Sequence, residues 1–152
     1  MDKAYRFTFY VDTDHRVLVV RLIGAMPAHE FLNRLFEAYD TVAEPWTYNR
    51  IMDFRRFRGL LSADDIAEMG RRWMAMAPPD CKRTRLAIVG SGMGPDSGGP
   101  TVSPHVPNRL VCHFSDYHLA RDWAISTDEA AVREDAGEWA IIGADHDLSI
   151  QA

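Results

Sequence analysis

Three neighbouring residues carry side chains that could act as acids, bases or metal ligands. His113, Asp116 and His118 lie within six positions of one another, at the predicted junction between a strand and a helix. If their side chains converge on one rim, they could move protons or hold a metal ion. The His-x4-His spacing matches no zinc motif, and no third strong ligand accompanies it. A strand-end histidine and a helix-capping aspartate explain the same residues, so we expect no bound metal.

A cluster of arginines is the second candidate site. Arg55, Arg56 and Arg58 follow Asp53, which closes a predicted strand, and aromatic residues alternate with them. In open, mostly parallel sheets, ligands bind outside the carboxyl ends of the strands. Guanidinium groups offer forked donors that suit carboxylate or phosphate. The cluster therefore indicates a site for a small anionic or amphipathic ligand, with surface ion pairs to neighbouring aspartates as the competing explanation.

Charge is distributed unevenly along the chain. Residues 50–85 contain nine Arg or Lys against five acids, whereas residues 116–152 contain nine acids against two arginines. The net charge of −5 argues against a general nucleic-acid binder. The positive stretch suits an anionic ligand or an acidic protein partner. Association of the two oppositely charged stretches in a homodimer is an open alternative.

Residues 91–108 are rich in turn formers, with four glycines and four prolines. The preceding Gly90-Ser91-Gly92-Met93-Gly94 is only superficially similar to a phosphate-binding loop, which must open directly onto a helix. The prolines that follow allow no such helix. We therefore expect a flap beside a pocket, and no nucleotide cofactor.

Length and composition predict one ordinary folded domain. A chain of 152 residues with 47% hydrophobic and 26% charged residues can bury a core without disulfides or metal. Its two cysteines, Cys81 and Cys112, are expected to be reduced thiols. No apolar run approaches the roughly 20 residues that span a bilayer, and no signal-peptide pattern opens the chain, so we expect a cytoplasmic protein.

Hydrophobic periodicity predicts the elements that must position these residues. The predicted strands cover residues 5–11, 16–23, 48–54, 86–89 and 110–114. The predicted helices cover residues 27–42, 63–76, 116–123 and 126–138. Strands that alternate with helices imply an α/β fold with a mixed, mostly parallel sheet, whose first strand is antiparallel at one edge. Helices should cover at least one face.

The second helix has a specific start signal. Ser62 precedes Asp65 by three positions, before an apolar stripe that includes Ile66, Met69 and Trp73. This spacing predicts a capping box in which Ser62 is the N-cap.

The order of these landmarks resembles the SpoIIAA-like family, which is related to the STAS domains. The resemblance rests on a VLVVRLIG strand, an RIMDF strand, an RLAIVG strand and the segment VCHFSDYHLARDWAI, and it covers residues 5–126. It implies an α/β sandwich without enzyme activity, whose members are binding or regulatory modules. Anti-sigma-factor antagonists of the STAS group carry a phosphorylatable serine after the strand that matches RIMDF. The only serine nearby here is Ser62, which the capping box explains, so a kinase-controlled switch is not expected.

These observations favour one SpoIIAA-like domain over residues 1–152, with a core at 5–126 and an acidic helix and tail at 127–152. The expected function is non-enzymatic binding of a small anionic or amphipathic ligand or of a protein partner. The alternative is a small enzyme that uses His113, Asp116 and His118. A cofactor, nucleic acid and a membrane span are not expected.

Overall fold

The strands and helices follow the hydrophobic pattern closely. The computed structural model describes residues 5–90, 101–102, 106 and 108–126. The strands are β1 (Tyr5–Asp12), β2 (Val17–Gly24), β3 (Asn49–Phe57), β4 (Thr84–Val89), β5 (Thr101–Val102) and β6 (Arg109–Phe114). The helices are α1 (Ala28–Tyr39), α2 (Ala63–Met76) and α3 (Tyr117–Ile125), and a short 3-10 turn covers Pro45–Thr47.

The strands form one sheet in the order β1-β2-β3-β4-β6-β5. Strands β2, β3, β4 and β6 are parallel, while β1 and β5 pair antiparallel at the two edges. The predicted α/β class, with a mostly parallel sheet and an antiparallel first strand, is confirmed. Strand β5 was not predicted, because its two residues lie in the Gly- and Pro-rich stretch and pair only with Val111 and Leu110 of β6.

Helices cover both faces of this sheet. Every second side chain of β2 points into the main core, namely Leu18, Val20 and Leu22. Helices α1 and α2 cover this core. The opposite face packs against α3 through Ala120 and Ala124, both fully buried. Because alanine side chains are small, α3 lies close against β3 and β4. We call the two sides of the sheet the α1/α2 face and the α3 face.

The helix starts agree with the capping signals. The Ser62 hydroxyl accepts from the backbone N–H of Asp65 at 3.1 Å, and the Asp65 carboxylate accepts from the Ser62 N–H at 2.8 Å. The predicted capping box is therefore confirmed. Asp116 is the N-cap of α3. Helix α1 ends at Tyr39, so Val42, predicted in its apolar stripe, lies beyond the helix.

Parts of the Gly- and Pro-rich stretch join the fold. Besides β5, Val106 is buried in the main core. Asn108 is also described, but the remaining residues expected to form the flap lie outside the described residues, as do the predicted helix and tail after Ser126. Cys81 is a half-buried thiol and Cys112 a buried one. Among the residues that the structure describes, no helix is long and apolar enough to cross a membrane.

Candidate anion-binding site

The first feature of the site is a buried carboxylate between two arginines on the α3 face. Asp53 of β3 is 2% exposed. Arg55 donates to it from Nε to Oδ1 at 2.9 Å and from Nη2 to Oδ2 at 2.8 Å, and its backbone N–H adds a bond at 3.1 Å. Arg21 of β2 donates from Nε to Oδ2 at 2.9 Å. Two parallel bonds to one carboxylate are the arrangement that arginine satisfies best.

These bonds keep Asp53 ionised. Burial alone would raise the pKa of Asp53, but the hydrogen bonds from Arg55 and Arg21 outweigh that effect. The pKa therefore lies below the ordinary aspartate value. The Asp53 carboxylate faces two permanently charged guanidinium groups, so these three residues together carry a positive charge, although the Asp116 carboxylate also acts on Arg55.

Arg56 adds a further cation beside this cluster. It lines a pocket of about 310 Å³ with Arg21, Ile23, Asp53 and Arg55, which we call the Arg56 pocket. Among the described residues, the side chain of Arg56 has no ion-pair or hydrogen-bond partner. Its exposed guanidinium is therefore available to an anion from solvent.

The sequence-predicted arginines are only partly brought together. Arg55 and Arg56 lie within β3 rather than past its end, because the strand continues to Phe57. Arg58 follows the strand, donates its backbone N–H to the Gly24 carbonyl at 2.7 Å and does not line the Arg56 pocket. For Arg55, the competing explanation of an ion pair with Asp53 is the one observed.

An elongated groove runs along the same face from the Arg56 pocket. It has a volume of about 400 Å³ and shares Arg21 with that pocket. We call it the Tyr10 groove; its walls include Thr8, Tyr10, Val19, Arg21, Tyr117 and Ile125. Tyr10 is 63% exposed. The groove combines aliphatic and aromatic side chains with a cationic end at Arg21, and its walls also contain Asp12 and Arg121.

Tyr117, the first residue of α3, connects the two cavities. Its ring lies 5.1 Å from the Arg55 guanidinium and 5.8 Å from that of Arg21. At these distances the negative face of the ring attracts both cations. At the other end, Arg121 of α3 lies 3.9 Å from the Asp12 carboxylate. Helix α3 therefore closes one side of the groove.

His113, Asp116 and His118 do not form a group of metal ligands in the part of the chain that the structure describes. Asp116 uses Oδ1 to accept from the backbone N–H groups of His118 and Leu119, at 2.7 and 3.3 Å. Strand alternation places His113 on the α1/α2 face, because its neighbour Phe114 packs on the α3 face. Burial lowers the pKa of His113. Among the described residues, no group of three or more potential ligands could hold a metal ion.

The positive stretch at 50–85 does not form one face. Arg50 is buried in the main core, and Arg72 pairs with Glu68 on α2 at 3.0 Å. Lys82 and Arg83 precede β4 and line a cleft of about 740 Å³ at the opposite end of the parallel strands from Arg56. Charge summed along a sequence cannot reveal this separation, because β-strands and helices carry neighbouring residues to different surfaces.

Sequence reasoning missed two members of the site, Arg21 and Tyr117. A signal for Arg21 was present, because it is the one charged residue in the otherwise aliphatic strand β2. A cation in a central strand needs a buried or cross-strand partner, and Asp53 on the adjacent strand supplies it. Tyr117 carried no such signal.

Comparison with known proteins identifies no relative of this chain. The chain matches no protein-family model, no curated protein and no solved structure.

Proposed function

We propose that this protein is a cytoplasmic, SpoIIAA-like, non-enzymatic module that binds a small amphipathic anion across the Arg56 pocket and the Tyr10 groove. The observation that carries the proposal is the unpartnered Arg56 guanidinium in a pocket that shares Arg21 with a partly apolar groove. The anionic group would lie at Arg56, and the apolar portion of the ligand would lie along Tyr10 and Ile125.

The charges support a carboxylate or phosphate at the Arg56 end. Asp53 offsets only part of the charge of Arg21 and Arg55, and Arg56 adds an unpaired cation. These side chains are partly exposed, so their attraction for an anion is moderate and sensitive to salt. A bare phosphate would leave the Tyr10 groove empty, whereas an amphipathic ligand would bury apolar surface there.

The test uses octanoate as the probe, with 1-octanol and acetate as its uncharged and short-chain counterparts. We expect octanoate to raise the thermal unfolding temperature saturably and more than either counterpart. The effect should weaken between about 0.01 M and about 1 M salt, where the Debye length falls from about 30 Å to about 3 Å. A wild-type protein that shows no saturable, salt-sensitive stabilisation would overturn the proposal.

Two variants locate the site. Arg56→Ala should weaken octanoate binding roughly tenfold, since about 1.4 kcal/mol is a reasonable value for one charge-assisted contact. Arg71→Ala is the matched control, because Arg71 is an exposed arginine of α2 that pairs with Glu68. Tyr10→Ser should weaken binding of octanoate but not of acetate. Equal losses in Arg56→Ala and Arg71→Ala would contradict a specific site.

A further inference from the structure

Two arginines lie in the interior of the α1/α2 face, against one tryptophan. Arg50, near the start of β3, is 1% exposed, and Arg109, at the start of β6, is 5% exposed. The guanidinium carbons lie 3.7 Å and 5.1 Å, respectively, from the ring centre of Trp73. This residue belongs to the last turn of α2. Neither arginine belongs to the site on the α3 face.

Neither arginine has a carboxylate partner among the described residues. Arg50 donates from Nη1 to the Tyr39 hydroxyl at 3.4 Å. Its Nε and Nη2, and the Nε of Arg109, are buried and have no acceptor within the described part of the chain. Most buried polar groups in proteins are hydrogen-bonded, and a buried charge without a partner is strongly unfavourable. Three unsatisfied guanidinium nitrogens in one core therefore need an explanation.

Proton loss does not provide that explanation. Burial, and then repulsion from Arg50, push the pKa of Arg109 far down from its ordinary value. An arginine starts from such a high pKa that it stays charged inside proteins. The lowered pKa therefore means that this cation is poorly stabilised where it lies.

Helix ends provide only part of the compensation. Tyr39 is the last residue of α1, and Trp73 lies in the last turn of α2. Helix C-termini carry partial negative charge, which favours nearby cations, and neither helix has a basic residue in its last turn. A helix end supplies about half an elementary charge, however, and it adds no acceptor for the unsatisfied nitrogens.

A cavity borders the same tryptophan. It has a volume of about 530 Å³, and its walls include Trp73, Ala77, Cys81, Val106 and Asn108. Trp73 thus contacts both guanidinium groups and also borders the cavity. Asn108 immediately precedes Arg109 in the chain. Arg50 and Arg109 do not themselves line the cavity, which meets them through Trp73.

We propose that Arg50 and Arg109, with the Tyr39 hydroxyl and the Trp73 ring, form an interior binding site for a small oxyanion, either a carboxylate or a phosphate group. The anion would accept hydrogen bonds from the three unsatisfied nitrogens. A carboxylate would neutralise one of the two charges, and a phosphate would neutralise most of both. This site lies on the other face of the sheet from the Arg56 pocket and does not depend on the proposed function.

Arginine Nε–H signals of the ¹⁵N-labelled wild-type protein report the site directly. The signals of Arg50 and Arg109 are assigned by their loss in Arg50→Lys and Arg109→Lys. We expect saturable shifts of both signals with inorganic phosphate or with acetate, at an ionic strength held constant with sodium chloride. The signal of Arg71 should stay unchanged. A saturable shift with either anion supports the proposal. The titration in which the shift saturates, phosphate or acetate, identifies the class of oxyanion.

The same titrations contradict the proposal if neither anion produces a saturable shift, or if chloride alone produces the same shift.

Thermal unfolding supplies an independent readout. Arg109→Met should weaken the stabilisation by the effective anion at least tenfold, and it should still fold because it removes an unpaired buried charge. Arg71→Ala, the exposed control, should retain that stabilisation. Loss in Arg56→Ala but not in Arg109→Met would assign the anion to the α3 face and overturn the interior site.

Discussion

The Arg55 guanidinium holds both carboxylate oxygens of Asp53, although the two residues are only two positions apart in β3. The strand register is irregular at this point, where Arg21 pairs with Asp53 but Ile23 pairs with Arg56. Asp53 and Arg55 lie on the same side because side chains alternate along a strand, so that residues two positions apart share a face. Arg55 therefore stabilises a buried carboxylate, whereas the Arg56 side chain lines a pocket without an ion-pair partner among the described residues.

Removal of the Asp53 charge should destabilise the fold in a pH-dependent way. Asp53→Asn should lose about 2 kcal/mol at pH 7, less than the roughly 3–5 kcal/mol of a fully buried pair, because both arginines can partly hydrate. The folded-state pKa of Asp53 is lowered, so its contribution is complete above the ordinary value of 3.8 and disappears as the pH falls through the folded-state value. Urea unfolding at pH 7, 5 and 3 should show the two proteins converging only at acid pH. If the difference in unfolding free energy between wild type and Asp53→Asn stayed constant down to pH 3, it would contradict the ion-pair explanation.

Loss of the Ser62 cap should destabilise α2. Ser62→Ala should lower the free energy of unfolding by about 1 kcal/mol, because the Asp65 N–H loses its acceptor. Ser62→Asp keeps a good cap and should stay close to wild type. Urea denaturation measures both. If Ser62→Asp were as unstable as Ser62→Ala, the serine would have a role other than capping.

Close packing of α3 should make its buried alanines sensitive to size. Ala120→Leu should cost about 1–3 kcal/mol, since Ala120 is fully buried against the sheet and added methyl groups would push α3 outward. Leu119→Ala, at the exposed neighbouring position, is the control and should change stability by no more than about 0.5 kcal/mol. Thermal unfolding of the two variants provides the comparison. Equal effects at both positions would mean that α3 is loosely packed.

His113 should contribute to acid sensitivity. Burial lowers its folded-state pKa below the ordinary value of 6.5, so the unfolded chain binds a proton there first. Wild-type stability should therefore fall as the pH drops below 6.5. His113→Gln should lose less stability than wild type between pH 7 and pH 5, whereas His118→Gln, at an exposed position, should follow wild type. A wild-type profile in His113→Gln would exclude this histidine as the cause.

Local features were predictable from the sequence because neighbouring residues encode them. Alternation in β1 and the aliphatic run of β2 predicted the antiparallel hairpin that the structure contains. The three-residue spacing of Ser62 and Asp65 predicted a cap whose two hydrogen bonds lie within one helical turn. Asp116 could likewise be identified as a cap, because the two backbone N–H groups that donate to its carboxylate belong to residues only two and three positions later in the chain.

Tertiary structure decided which charged residues meet. Arg21 and Asp53 are 32 positions apart, and only the parallel pairing of β2 with β3 brings them together. Arg50 appeared in the sequence as one cation of a basic stretch, yet strand register places it under Trp73, away from Arg55 and Arg56. Periodicity tells which residues share a face of an element, but the neighbours across that face depend on how separate elements pack. Chain packing, rather than local charge, therefore determined which arginines are buried, which are paired and which are exposed.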